Sequence, residues 1–190
     1  MRLWTGVLLV ALGCTAGSGT EPLPAGDGGS GDSGSGDSGS GDSGALPPDT
    51  VIYTIRHAEK EDEGTDPDLT EAGQVRAVAL AELLHEVPLA SVYATEYQRT
   101  QQTVQPTADD HGLVTVTDID PERELAEHIL DADAGLTVLA CGHSNTVPDF
   151  LRALGMEEPP DIESDVFGEL WIVTVTAAGE FSVETSHYGE

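Results

Sequence analysis

Val51-Ile52-Tyr53-Thr54-Ile55-Arg56-His57-Ala58-Glu59-Lys60 changes character halfway. Its first five side chains are β-branched or aromatic, which predicts a buried strand over Val51–Arg56. Arg56 and His57 then stand where that strand runs out. Basic residues are scarce in this chain: seven Lys+Arg face 35 Asp+Glu, for a formal charge of −28. A rare cation at the end of an apolar strand points to chemistry rather than to packing.

Outward from this strand, apolar runs alternate with helical periodicity. Thr70 caps a helix reaching about Glu86, with Val75, Val78, Leu80, Leu83 and Leu84 supplying its apolar surface. Ala90–Ala94 reads as a short strand, and Tyr97–Asp110 as a helix disturbed by Pro106. Leu113–Val116 is a strand, and Pro121–Ala132 a helix with proline in its first turn. Leu136–Cys141 is apolar on both faces, as in the centre of a parallel sheet. Thr146–Leu154 is a helix stopped by Gly155. Two last strands, Glu169–Val175 and Phe181–Thr185, flank the turn Ala177-Ala178-Gly179-Glu180 and form a hairpin. Strands alternating with helices imply an α/β fold with a mostly parallel central sheet. Such sheets bind ligands at the carboxyl ends of their strands.

Residues 49–190 hold this pattern and are long enough to bury a substantial core. Residues 1–14 read differently. Met1-Arg2 is followed by an apolar run and then by Ala11-Leu12-Gly13-Cys14, the shape of a secretory signal. Its ending resembles a bacterial lipobox, in which Cys14 becomes a lipidated N-terminus. The expectation is an exported lipoprotein, held at the membrane only through that lipid, or otherwise a secreted protein. Residues 15–48 repeat Gly, Ser and Asp and read as a flexible tether, with an r.m.s. span of roughly 30 Å. A calcium-binding repeat there would need an apolar position that this segment lacks. The negative charge argues against nucleic acid and anionic membrane surfaces as partners. It also opposes any anionic substrate unless a pocket is locally positive.

Three predicted strand ends carry unusual polar residues. Arg56-His57 follows the first strand, Arg99 opens the helix after the second, and Gly142-His143-Ser144-Asn145 follows the fourth. In a parallel sheet all three meet at one edge. Two guanidinium forks bind phosphate and stay charged at ordinary pH. A neutral imidazole is a competent nucleophile, and Arg56 beside His57 keeps it neutral. A second imidazole can donate to a phosphoryl oxygen as charge builds up. The helix opening after His143 adds free N–H groups. The set reads as phosphoryl transfer through a phosphohistidine.

Four segments in order carry a resemblance. They are Arg56-His57-Ala58-Glu59-Lys60; Asp66-Pro67-Asp68-Leu69-Thr70-Glu71-Ala72-Gly73 with Arg76-Ala77; Tyr93-Ala94-Thr95-Glu96-Tyr97-Gln98-Arg99-Thr100-Gln101-Gln102-Thr103; and Gly142-His143-Ser144-Asn145-Thr146. The chain resembles the histidine phosphatase superfamily over residues 50–155. The resemblance implies a phosphoglycerate mutase-like fold, a three-layer αβα sandwich, in a small member without a large cap. It implies His57 as the phosphorylated nucleophile, Arg56, Arg99 and His143 as the phosphate pocket, and Ser144 and Asn145 at the rim. It implies a metal-independent phosphatase without cofactors, acting as a monomer on a phosphorylated small molecule or a phosphoprotein. A mutase is disfavoured by the small open site outside the cytoplasm.

The departure concerns the proton donor. Larger members carry an acid in a capping insertion or directly after the second histidine, where this chain has Ser144. Glu59, Glu124 and Glu127 are the candidates, the last two also reading as solvated helix-face residues. Without an acid the enzyme would be limited to good leaving groups, or would be a phosphate-binding or phosphoprotein-binding module. Elsewhere the readings are structural. Cys141 is a small core residue, and His85, His111, His128 and His187 lie at the surface or at helix ends. Phe167 and Trp171 are core or edge packing. The acidic run Glu157–Asp165 is a solvated loop able to border the pocket. A metal held by His57, Glu59 and His143 fits no zinc spacing and would be repelled by the adjacent arginines.

Overall fold

The computed structural model describes residues 48–120 and 122–189. The expectations for the leader, for Cys14 and for nearly all of the Gly/Ser/Asp segment lie outside the described residues. Within them, β1 (Thr50–Arg56), β2 (Leu89–Ala94), β3 (Thr115–Val116) and β4 (Thr137–Gly142) run parallel. β5 (Glu169–Val175) and β6 (Phe181–His187) are antiparallel and form the C-terminal hairpin. One sheet results, in the order β3-β2-β4-β1-β5-β6. β4 and β1 are thus interior strands, as their apolar runs require.

The pleat sends alternate residues of each strand into two separate cores. Ile52, Tyr93, Val138, Ala140, Trp171 and Val173 face α3 (Arg123–Ala132) and α4 (Thr146–Leu154), meeting Leu125, Ile129, Phe150 and Leu151. Ile55, Val92, Leu139, Cys141 and Leu170 face α1 (Glu71–Leu84) and α2 (Gln98–His111), meeting Leu80, Leu84 and Val104. The three-layer sandwich follows directly from this alternation.

Local rules explain the element ends. Thr70 Oγ1 accepts from Gly73 N at 3.0 Å and caps α1. Gly155 ends α4 at φ 122°, a backbone conformation that favours glycine. The β5–β6 turn closes through Gly179 N donating to Thr176 O at 2.8 Å.

Four expectations need correction. The buried face of α1 is Gly73, Ala77, Leu80 and Leu84, a spacing of four, three and four that traces one stripe of the helix. Val75 and Val78 stand on the opposite side, 65% and 50% exposed, and Leu83 is also exposed. The helix end expected at about Glu86 falls two residues earlier, at Leu84. α2 passes Pro106 without a break, giving up only the N–H that proline lacks. β3 shrinks to two residues at the sheet edge, because Val114 is 85% exposed and has no core to enter.

The faces of α1 make opposite predictions. Leu84→Ala should cost about 3 kcal/mol of unfolding free energy, whereas Val75→Ala should change it by less than about 0.5 kcal/mol. Urea denaturation of the two variants measures both.

Candidate active site

Strand register builds the site. Arg56, the last residue of β1, lies opposite Gly142, the last of β4, and Ala94 of β2 lies opposite Cys141. His57 N extends the ladder by donating to Gly142 O at 2.9 Å. The next residues along the three strands are therefore His57, Thr95 and His143, side by side at the carboxyl edge. Arg99 joins them from the first turn of α2. Gly142 is required where the chain turns into α4, because a Cβ there would lie 2.7 Å from Thr146 Oγ1. The His57 and His143 rings sit edge to face with centroids 5.4 Å apart.

His57 is 4% exposed. Its Nδ1 lies 2.7 Å from Ala58 O. A carbonyl can only accept, so Nδ1 carries the hydrogen and Nε2 keeps a lone pair. Burial is the main reason that the His57 pKa falls to about 4, opposed by the bond to Ala58 and reinforced by Arg56, His143 and Arg99. The expected effect of Arg56 is present, but it ranks below burial. Burial also brings His143 to about 4, with Arg99 and Arg56 adding to it. Both rings are neutral near pH 7.

The two arginines are held differently from free forks. Arg56 Nη1 donates to Glu163 O and Val166 O, both at 2.8 Å, and Nη2 donates to Ser164 O at 2.9 Å. Its plane lies over Phe167, 4.3 Å from the ring centroid. The antiparallel entry of β5 beside β1 brings the 163–167 loop to this edge. Arg99 lies over Tyr97 at 4.2 Å and has Nη1 3.6 Å from Asp66 Oδ1. Asp66 also accepts from Gln98 N at 3.0 Å, capping α2 from a distant loop. What stays unpartnered is telling. Arg56 Nε, Arg99 Nε and His143 Nδ1 are buried with no hydrogen-bond partner. Two guanidiniums, each with an unspent Nε donor, thus act on the ring of His57, whose Nε2 is bare, and such a charge arrangement suits an oxyanion.

Arg56, His57, Arg99 and His143, singled out from the sequence, thus come together. Ser144 and Asn145 lie in the turn from β4 to α4, half-buried and exposed. The proton-donor candidates do not join them. Glu59 is gripped by Arg76, whose Nε donates at 2.9 Å to Oε2 and whose Nη2 donates at 2.7 Å to Oε1. That guanidinium holds the Glu59 carboxyl below its usual range, which unfits it as an acid and withdraws it from the imagined metal trio. Arg76 Nη1 further donates to Tyr188 O and Gly189 O. Glu124 and Glu127 are exposed on α3, and Glu127 pairs with Arg123 at 2.6 Å.

Phe167 departs from the expected packing role by supporting Arg56. Thr95, Tyr97 and Asp66 lie in segments already singled out, but nothing in the sequence gave them a task. Position was the available signal for Thr95, which follows β2 as His57 follows β1. The acidic run borders the pocket through its backbone carbonyls.

The family model described as histidine phosphatase superfamily (branch 1) matches residues 52–166. No curated protein matches the chain. Similar solved structures include the protein histidine phosphatase SixA complexed with tungstate, 18% identical, with 72% of this chain and 96% of that one covered and a TM-score of 0.60. A Nakamurella multipartitia protein named as a SixA phosphohistidine phosphatase is 20% identical, covering 77% of this chain and 100% of that one at a TM-score of 0.58. A mycobacterial glucosyl-3-phosphoglycerate phosphatase is 14% identical, covering 74% and 99% at 0.54. At these identities the likeness is one of fold.

The two neutral histidines set a pH dependence. They bind protons near about 6.5 when unfolded but near 4 when folded. Between those values the unfolded chain holds more protons, so this contribution is complete above pH 6.5 and is lost as pH falls toward 4. Thermal melts at pH 7 and pH 5 should show a larger fall in Tm for the wild type than for a His57→Gln/His143→Gln double variant. Equal falls would refute the assignment.

Proposed function

This chain belongs to the histidine phosphatase superfamily, and on that footing we propose that it is a phosphatase working through a covalent phosphohistidine at His57. The observation that carries the reading is the bare Nε2 of His57 in a pocket where Arg56 and Arg99 act on the ring, each with an Nε donor left without a partner. A phosphoryl group drawn to these two guanidiniums would offer its phosphorus to that lone pair. The P–N bond forms as the ester P–O bond breaks, and water then cleaves the P–N bond and releases phosphate. The guanidinium groups supply the charge stabilisation that a metal gives in other phosphatases, so the reaction is read as metal-independent.

The substrate class is a phosphomonoester or phosphohistidine, borne by a small molecule or by a phosphoprotein. Between α2 and β4 the described residues hold only β3 and α3, which leaves no room for a large cap. We place the protein outside the cytoplasm, tethered through lipid on Cys14, with the Gly/Ser/Asp segment as spacer.

One observation favours a rival reading, a phosphate-binding or phosphoprotein-binding module with weak catalysis. None of the three candidate carboxylates bonds to a pocket residue. The rival predicts affinity without turnover. Under the phosphatase reading, His57→Ala lowers turnover of an aryl phosphate by at least about 10³-fold. Brief mixing of the wild type with substrate then leaves a phosphoprotein that survives alkali and is lost in acid. Full activity in the variant would sink the mechanism.

A further inference from the structure

A chain of buried hydroxyl groups runs away from the pocket behind His143. Thr100 Oγ1 lies 2.7 Å from Tyr97 O and 3.1 Å from Thr95 O. Carbonyl oxygens only accept, and two oxygens this close repel unless a proton lies between them, so the Thr100 proton points to the carbonyls. Thr95 Oγ1 is 2.8 Å from Thr100 Oγ1 and 3.0 Å from His143 Nε2. With the Thr100 proton spent, the proton between the two hydroxyls belongs to Thr95. With the Thr95 proton spent in turn, the last contact is filled only by N–H from His143 Nε2. The direction is fixed: His143 donates to Thr95, Thr95 to Thr100, and Thr100 to the Tyr97 carbonyl.

The consequence falls on the other ring nitrogen. His143 Nδ1 is buried without a partner, and in the neutral ring it is bare. His143 is faced by Arg56 and His57 from the end of β1 and by Tyr97 and Arg99 from the start of α2, while its backbone N–H donates to Thr146 Oγ1 of α4. Among the described residues no carboxylate hydrogen-bonds to the ring. Burial and two guanidinium charges keep a proton off Nδ1. A dianion held by those guanidiniums cancels their repulsion, so a proton on Nδ1 becomes favourable.

We infer that His143 is the proton carrier of this site: Nδ1 takes up a proton together with a phosphate-like dianion and passes it to the leaving group. The second half rests on the phosphatase reading. The steps balance. The proton comes from solvent or from a monoanionic phosphate ester. As the P–N bond to His57 forms and the P–O bond breaks, the proton moves from Nδ1 to the departing oxygen, which leaves as an alcohol. Water then attacks phosphorus, its proton returns to Nδ1, and the P–N electron pair returns to His57. The task for which Glu59, Glu124 and Glu127 are unsuited thus falls to a residue already in the pocket.

Sulfate is a probe that does not itself titrate near neutral pH. Calorimetric titration with sulfate at pH 7.5, in buffers of different ionisation heat, should show close to one proton taken up per sulfate bound by the wild type and none by His143→Gln. Wild-type binding without uptake overturns the inference whether or not the variant folds. Turnover tests the delivery step: His143→Gln should lose at least about tenfold more kcat on an alkyl phosphate than on an aryl phosphate whose leaving group needs no proton. Equal losses overturn delivery. Aryl phosphate turnover without proton uptake sinks this inference and leaves the phosphatase reading standing. Uptake without turnover of any phosphate ester sinks the phosphatase reading, and proton delivery with it.

Discussion

One rung of the β1–β4 ladder sets everything that follows it. His57 N donates to Gly142 O, which fixes the end of β1 against the end of β4 in a single register. The bond itself contributes only about 1 kcal/mol. Its importance is geometric, since a slip of one residue would turn every side chain of β1 to the other face. Ile52 and Ile55 would leave their separate cores, and His57 would no longer stand beside His143. The cores on the two faces of the sheet thus enforce the placement of the polar residues at its edge.

The second constraint is the scarcity of positive charge. Arg56, Arg76 and Arg99 are each lodged in the structure. Arg56 is fixed by three carbonyls and an aromatic ring, Arg76 by a carboxylate and two carbonyls, and Arg99 by an aromatic ring and a nearby carboxylate. Arg123 and Arg152 make exposed pairs on their own helices, of a kind worth little to stability. In a chain of formal charge −28, the pocket is a small positive island. Salt screens its surroundings beyond about 8 Å, so a phosphate that reaches the edge meets the two guanidiniums rather than the whole field.

The fold was legible because its signals are local and repetitive. The β1 and β4 runs are apolar on both faces, Thr70 and Gly155 punctuate helices, and the β5–β6 turn carries its own glycine. The face of α1 was misread because valine and leucine were counted as core wherever they fell. Ala77 and Gly73 allow the close approach of α1 to the β1 loop, where an added Cβ on Gly73 would lie 2.1 Å from Glu59 O. Small residues pack a helix tightly and leave no mark in hydrophobicity. In the site, Arg56, His57, Arg99 and His143 were legible as costly residues at strand and helix ends. Thr95, Asp66 and Phe167 were not, because their roles arise from partners far away in the chain. The spending of the Arg56 fork on three carbonyls is likewise a property of the fold, since the 163–166 loop reaches it only through the antiparallel entry of β5.

The grip of Arg76 on Tyr188 O and Gly189 O bears on the order of assembly. Glu59 lies two residues beyond His57, and its partner Arg76 spends a third of its fork on carbonyls from the far end of the described chain. The loop that leaves His57 is therefore tied off by residues that emerge from the ribosome more than a hundred positions later. A nascent chain holding β1 through α4 has every pocket side chain and still lacks this closure and the loop that seats Arg56. Sequence separation of this size slows folding, and it makes the pocket a late product of synthesis, completed only when the C-terminal hairpin docks.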